Sequence, residues 1–238
     1  MFNKTENNFI KTFNQKTTNE LTLLQKTFIK ELFPNIDYTD KIIAWKNYET
    51  KKADIFIKVN TLTRGISIKS GNENSMHSEH IKEFVKFLNE INITNDKIRI
   101  YKNYHYGEFG DGKKYSAKEL KEKMKNQLQE LNKELNKPKN IIKAVERYVI
   151  HGIDTKYDIA ALVSGTPENF TWIKSENIYD FALNYDKSKY EAPHFGMLIL
   201  QPKKRDLENT GKNYLDCHRV QVKWHNLYEE IIEYYHKK

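Results

Sequence analysis

The chain has 238 residues with 40 Lys and Arg against 32 Asp and Glu, a formal net charge of +8 at pH 7, and 38% hydrophobic and 13% aromatic side chains. Its 15 Tyr and 12 Phe argue against disorder, its one cysteine, Cys217, excludes an intrachain disulfide, and no run approaches the roughly 18 apolar residues that a membrane helix needs. Met1 to Asn8 carry no apolar signal core, so a cytoplasmic protein is expected, and the basic balance points either to a polyanionic partner, most simply nucleic acid, or to the Lys-, Asn- and Ile-rich bias of an AT-rich coding sequence.

Residues 1–17 are polar with scattered Phe, and read as a frayed start or a first helix. From Asn19 to Phe33, Leu21, Leu24, Phe28 and Leu32 recur at helical spacing, and Pro34 ends the helix. Ile42 to Trp45 reads as a short strand, and Lys51-Lys52 as a solvated turn. Two alternating runs, up to Val59 and from Gly65 to Lys69, flank the polar turn Asn60–Arg64, the pattern of a β-hairpin with one buried face. Ser67 and Lys69 then share one face, and Ile66 and Ile68 the other.

Ser70 to Glu79 reads as a loop in which Ser75 or Ser78 caps the next helix, whose apolar face is Ile81, Phe84, Val85, Leu88 and Ile91. Ile98 to Lys102 alternates like a strand. Tyr101, Tyr104 and Tyr106 interleave there with Lys102 and His105, which suits either stacking on nucleic acid or a half-buried strand. Ser116 to Glu119 is a capping box opening a helix with Leu120, Met124, Leu128, Leu131 and Leu135 on one face. Pro138 turns the chain into a second helix ending near Gly152, making a helical hairpin. Further strands are expected over 157–163, 170–173, 195–201 and 217–224, with a short helix over 175–183 and another from Leu227 to Tyr235.

The chemistry concentrates on the hairpin. An acid at its mouth, Asp54, and a lysine on its second strand, Lys69, suit a metal-dependent phosphodiesterase, since a carboxylate can hold Mg²⁺ and a lysine can activate water or neutralise developing charge. A surface hairpin with solvated charges has the same spacing. Asp54 followed by Ser67-Ile68-Lys69 resembles the PD-(D/E)XK nuclease superfamily, which includes many restriction endonucleases. In that pattern an Asp precedes a strand ending in acid-x-Lys, and an upstream helix often supplies a Glu. The resemblance covers residues 18–92, with Ala53 in place of the pattern's Pro and Ser67 in place of its second acid.

That resemblance implies an α/β fold, a restriction-endonuclease-like mixed central sheet flanked by helices, with the helical hairpin and a C-terminal β-ribbon added. One domain would span the chain, residues 18–110 carrying the core. Asp54 would bind Mg²⁺ and Lys69 would position or activate water. Glu79, on the first turn of the helix after the loop, or Glu20, on the upstream helix, would replace the acid missing at Ser67. Each also reads as an ordinary helix charge, Glu79 as a complement to the helix dipole. Ser67, Asn72, Asn74 and His77 are candidate DNA contacts along the same segment.

At the C-terminal end, Val220, Val222 and Trp224 alternate inward, leaving Arg219, Gln221 and Lys223 on the opposite face. Arg and Gln are suited to guanine and adenine edges, and Lys203, Lys204 and Arg205 follow the strand expected to pair there, so this ribbon is a candidate DNA reader or a solvated strand face. The function expected is Mg²⁺-dependent cleavage of double-stranded DNA by a sequence-specific type II restriction enzyme acting as a homodimer. The alternative is a nucleic-acid-binding protein of the same fold without the chemistry.

Overall fold

The computed structural model describes residues 4–49, 52–70, 74–152, 158–203 and 217–237. The chain forms two compact units: Met1–Asn74, Glu146–Tyr179 and Asn226–Lys238 make unit 1, and Ser75–Val145 with Asp180–His225 make unit 2. The stretch 18–110 is therefore divided between them. Among the described residues no helix is long and apolar enough to cross a membrane.

Unit 1 is built on a five-stranded mixed sheet in the order β1-β2-β3-β5-β6. Strands β1 (Ile42–Lys46), β2 (Ile55–Val59) and β3 (Leu62–Lys69) form an antiparallel meander. β5 (Ile159–Thr166) lies parallel to β3, and β6 (Asn169–Lys174) returns antiparallel to β5. The chain thus leaves the sheet after β3, builds unit 2, and comes back to pair with the same strand. Gly65 permits a close approach here: a Cβ on it would meet Ala53 Cβ at 2.9 Å and the Asp158 carbonyl oxygen at 3.4 Å.

Helices α1 (Lys4–Phe13) and α2 (Leu23–Leu32) bury Phe9, Phe13, Phe28, Ile29 and Leu32 in one cluster with Ile55, Ile57, Ile66, Ile68, Ala161 and Val163 from the sheet. The expected helix over 19–33 is instead a 3₁₀ turn, Thr18–Glu20, followed by α2. Two successive N-terminal capping boxes divide the stretch: the Glu20 carboxylate accepts the Thr17 amide hydrogen at 2.8 Å, and Gln25 Oε1 accepts that of Thr22 at 3.1 Å. Helix α9 (Leu227–His236) packs against β5 and β6.

Unit 2 carries a four-stranded antiparallel sheet in the order β4-β9-β8-β7, from β4 (Ser75–His80), β7 (His194–Phe195), β8 (Leu198–Pro202) and β9 (Arg219–Trp224). Helices α3 (Ile81–Glu90), α4 (Asn95–Tyr106), α5 (Ala117–Lys123), α6 (Lys125–Leu135) and α7 (Pro138–Val145) complete it, and a π-helical turn, Glu146–Ile150, then begins the next segment of unit 1. Helix α8 (Ser175–Leu183) runs across the division between the units.

Three local expectations are corrected here. Ser75–His80 is a strand rather than a helix-capping loop, because it pairs with β9, about 140 residues downstream, a partner that local sequence does not reveal. Ile98–Lys102 is helical: Ile98, Tyr101, Tyr104 and His105 make a buried face of α4, and Gly107 ends it in a left-handed conformation at φ 76°. The single strand expected over 195–201 is a tight hairpin, turned by Gly196 at φ 54°, where a Cβ would stand 2.8 Å from the Ala182 carbonyl oxygen. The capping box Ser116–Glu119 and the two helices on either side of Pro138 form as expected, the first interrupted at Met124.

Candidate active site

Asp54 stands immediately before β2. Its amide donates to Ile66 O at 2.8 Å and its carbonyl accepts from Asn47 N at 3.0 Å, which ties the residue to the chain on both sides. The carboxylate is held as firmly. Oδ2 accepts the Ile68 amide hydrogen at 2.6 Å and the Ser67 hydroxyl at 3.1 Å. Both bonds fall on one oxygen, so Oδ1 is left to offer its lone pairs. Ser67 is fully buried, while Asp54 and Lys69 are half-buried.

Burial raises the Asp54 carboxyl above its ordinary value. The Lys69 charge and the bonds from Ile68 and Ser67 oppose that rise, and the charge of Glu6 adds to it. Lys69 acts on Asp54 through space: among the described residues the two do not form a contact ion pair.

Glu6, on the first turn of α1, is the residue that sequence reasoning missed. It pairs with Lys46 of β1 at 2.9 Å, and the two side chains are only 12% and 20% exposed. The signal was its spacing: Glu6, Phe9 and Phe13 lie three and seven residues apart, so the acid shares a face with the two buried rings. A charge on the buried side of a helix needs a partner, and the helix brings this one towards the acid of the hairpin.

Lys52, expected to be solvated, is another correction. Burial, then the Lys69 charge, pushes its ammonium down to about 7, with Asp54 opposing. The sign of the consequence follows from proton counting. Between about pH 7 and the ordinary lysine value of about 10.4 the unfolded chain keeps a proton that the folded chain has lost, so stability rises with pH across that window. In EDTA, wild-type protein is expected to melt at higher temperature at pH 9 than at pH 6.5 by a margin that Lys52→Met reduces. Parallel melting curves for the two proteins across that range would remove Lys52 from the buried cluster.

The other candidates are placed elsewhere. Glu20 is exposed, paired with Lys16 at 2.9 Å and spent on its own cap. Glu79 is buried on β4 of unit 2, where it pairs opposite Val220, and His77 lies opposite Val222. Asn74 is half-buried. Arg219, Gln221 and Lys223 do share one half-buried face of β9, but β9 is a central strand with partners on both sides. The Arg219 guanidinium donates to the Ser78 carbonyl at 2.6 Å and its hydroxyl at 3.1 Å, and Gln221 donates to Ser75 at 3.2 Å, so much of that polarity serves the sheet itself. Lys203 is exposed at the end of β8. Asn72, Lys204 and Arg205 lie outside the described residues.

A Mg²⁺ site can be tested against these residues. Among the described residues no group of three or more His, Cys, Asp or Glu side chains is close enough to hold a metal. The donors at Asp54 are its own Oδ1 and the Ser67 hydroxyl oxygen, and the nearby charge of Glu6 belongs to a carboxylate paired with Lys46 through one oxygen. Two carboxylates suit Mg²⁺, which keeps several waters and shares its shell with substrate phosphate, better than they suit a metal demanding a complete protein cage. The carboxyl raised by burial and by a neighbouring acid is also what a bound dication would relieve.

No protein-family model matches the sequence, and no curated protein matches it either.

Proposed function

We propose that unit 1 is a Mg²⁺-dependent nuclease of the PD-(D/E)XK type, cutting phosphodiester bonds in double-stranded DNA. The observation that supports it best is Asp54 before one strand and Lys69 on the next, with Ser67 in the position of the second acid and bonded to Asp54, while the charge of Glu6 on a helix acts on the same carboxyl. The restriction-endonuclease-like fold belongs to the same reading: a mixed sheet whose meander carries the acid and the lysine on adjacent strands, flanked by a helix that carries another acid.

In this reading Asp54 and Glu6 would hold the metal, which when bound would supply Lewis-acid polarisation of the phosphoryl oxygen and a water of lowered pKa. The Ile68 amide and the Ser67 hydroxyl fix the Asp54 carboxylate through Oδ2 and so aim Oδ1. Lys69 sets a positive charge beside that group, where it can steady the attacking water or the charge that develops on the phosphate. Cutting both strands calls for two such sites, which a homodimer supplies.

A second reading rests on Ser67. Its hydroxyl is an uncharged, weak ligand and is already donated to Asp54, which fits a protein that binds nucleic acid but no longer cleaves it. Incubating the protein with mixed-sequence plasmid in Mg²⁺ and in EDTA separates the two. Discrete fragments in Mg²⁺ alone are expected. Intact plasmid in both lanes, with binding that weakens steeply as salt rises, would replace the nuclease with the binding protein.

A further inference from the structure

Unit 2 contains a second concave site made from three elements. His80 caps the N-terminus of α3, its Nδ1 accepting the Lys82 amide hydrogen at 3.1 Å, so the neutral ring carries its proton on Nε2 as a donor. His218, just before β9, stacks on His80 with ring centroids 5.8 Å apart and planes at 23°. Tyr106, at the end of α4, places its hydroxyl 3.1 Å from His218 Nδ1 and its ring edge-on to the same imidazole. With Lys82 and Lys102 these groups line a pocket of about 630 Å³, whose apolar wall is Ile81 and Val85.

Among the described residues the charged groups lining this pocket are all basic, and no carboxylate lines it. The nearest acid on α3, Glu83, is paired with Lys86 at 2.8 Å. Burial, then the charges of His218, Lys82 and Arg219, holds His80 below the usual imidazole value, with Glu83 opposing. Lysine ammoniums, the His80 imidazole N–H, and whichever of the Tyr106 hydroxyl and the neutral His218 N–H is not used in the bond between those two, match the acceptor oxygens of a phosphoryl group.

We infer that this pocket binds a phosphoryl group through Lys82, Lys102, His80, His218 and Tyr106, with Ile81 and Val85 against the organic part of the ligand. The inference concerns unit 2 alone and does not depend on cleavage by unit 1.

The test is a titration of the full chain with inorganic phosphate in EDTA, followed by the histidine ring signals in NMR. Saturable binding in the millimolar range is expected, with the His80 and His218 signals moving. Lys102 is exposed, so Lys102→Glu should fold, which circular dichroism checks, and it should weaken phosphate about tenfold or more. Phosphate that fails to saturate, or that binds folded Lys102→Glu as well as wild type, overturns the inference. Two competition arms name the source of the phosphate, and both keep the site: displacement by a short DNA duplex identifies a nucleic-acid backbone, and displacement by a mononucleotide alone identifies a free nucleotide.

Discussion

Asp54→Asn and Lys69→Ala are each expected to lower Mg²⁺-dependent DNA cleavage by about a thousandfold or more while leaving DNA affinity nearly unchanged, since electrostatic stabilisation of the reacting phosphate is the largest contribution a site of this kind makes. Asn keeps the shape of Asp54 and can still accept from Ile68 and Ser67, so the fold survives and the charge alone is tested. Glu6→Gln separates two roles of the helix acid. If Glu6 belongs to the site, cleavage falls about a hundredfold. If it serves only as partner to Lys46, cleavage persists and the change is confined to stability, because a largely buried lysine has lost an ion pair. Melting curves of Glu6→Gln in EDTA, recorded beside the cleavage rates, distinguish these outcomes. Full cleavage by Asp54→Asn or Lys69→Ala would dismiss the assignment of the site.

Phe28→Ala is expected to destabilise unit 1 by about 3–5 kcal/mol, a large part of the ~5–15 kcal/mol that holds a typical domain together. Phe28 is fully buried on α2 and makes edge-on contacts with Phe170 at 5.4 Å and Trp172 at 5.3 Å, and a tilted one with Phe13 at 5.9 Å. Removing it leaves a cavity at the junction of both helices and β6, with no flexible side chain among those rings to fill it. Leu23→Ala on the same helix is the control: Leu23 is 82% exposed, so its loss should change stability by less than about 0.5 kcal/mol. Urea unfolding of the two variants reads the difference directly. Equal midpoints would mean that α2 does not pack on the sheet through Phe28.

Elements built from local pattern were legible in the sequence. The β2–β3 hairpin, with Ile66 and Ile68 in the core and Ser67 and Lys69 on the other face, follows from period-two alternation, but its turn is Asn60-Thr61 rather than the expected Asn60–Arg64, because Leu62, Thr63 and Arg64 pair with Val59, Lys58 and Ile57. The faces of α3, α6 and α7 follow from apolar residues three and four apart, and the start of α5 from Ser116 and Glu119. The register that sets Ser67 beside Asp54 was not readable, because a turn over Asn60–Arg64 would have placed Lys69 opposite Ile55, where the structure has Ile66.

Tertiary structure decided what depends on pairing between distant segments. β4 is polar and looks like a loop until β9 gives its backbone a partner, and with that Glu79 moves from a helix to the interior of a different unit. Glu6 looked like one charge in a polar stretch. It meets Lys46 of β1 because α1 lays Phe9 and Phe13 on the sheet, and burial of two rings fixes the rotation of the helix and so the direction of the acid. The interruption of unit 1 between β3 and β5 could not be read from composition, because a parallel strand leaves no local mark of which strand it will join. Sequence alone therefore determined which face of β3 carries Ser67 and Lys69, because side chains alternate along a strand, while the short turn set the register against Asp54. Long-range packing joined Glu6 to Lys46, because the hydrophobic contacts that lay α1 on the sheet join residues far apart in the chain.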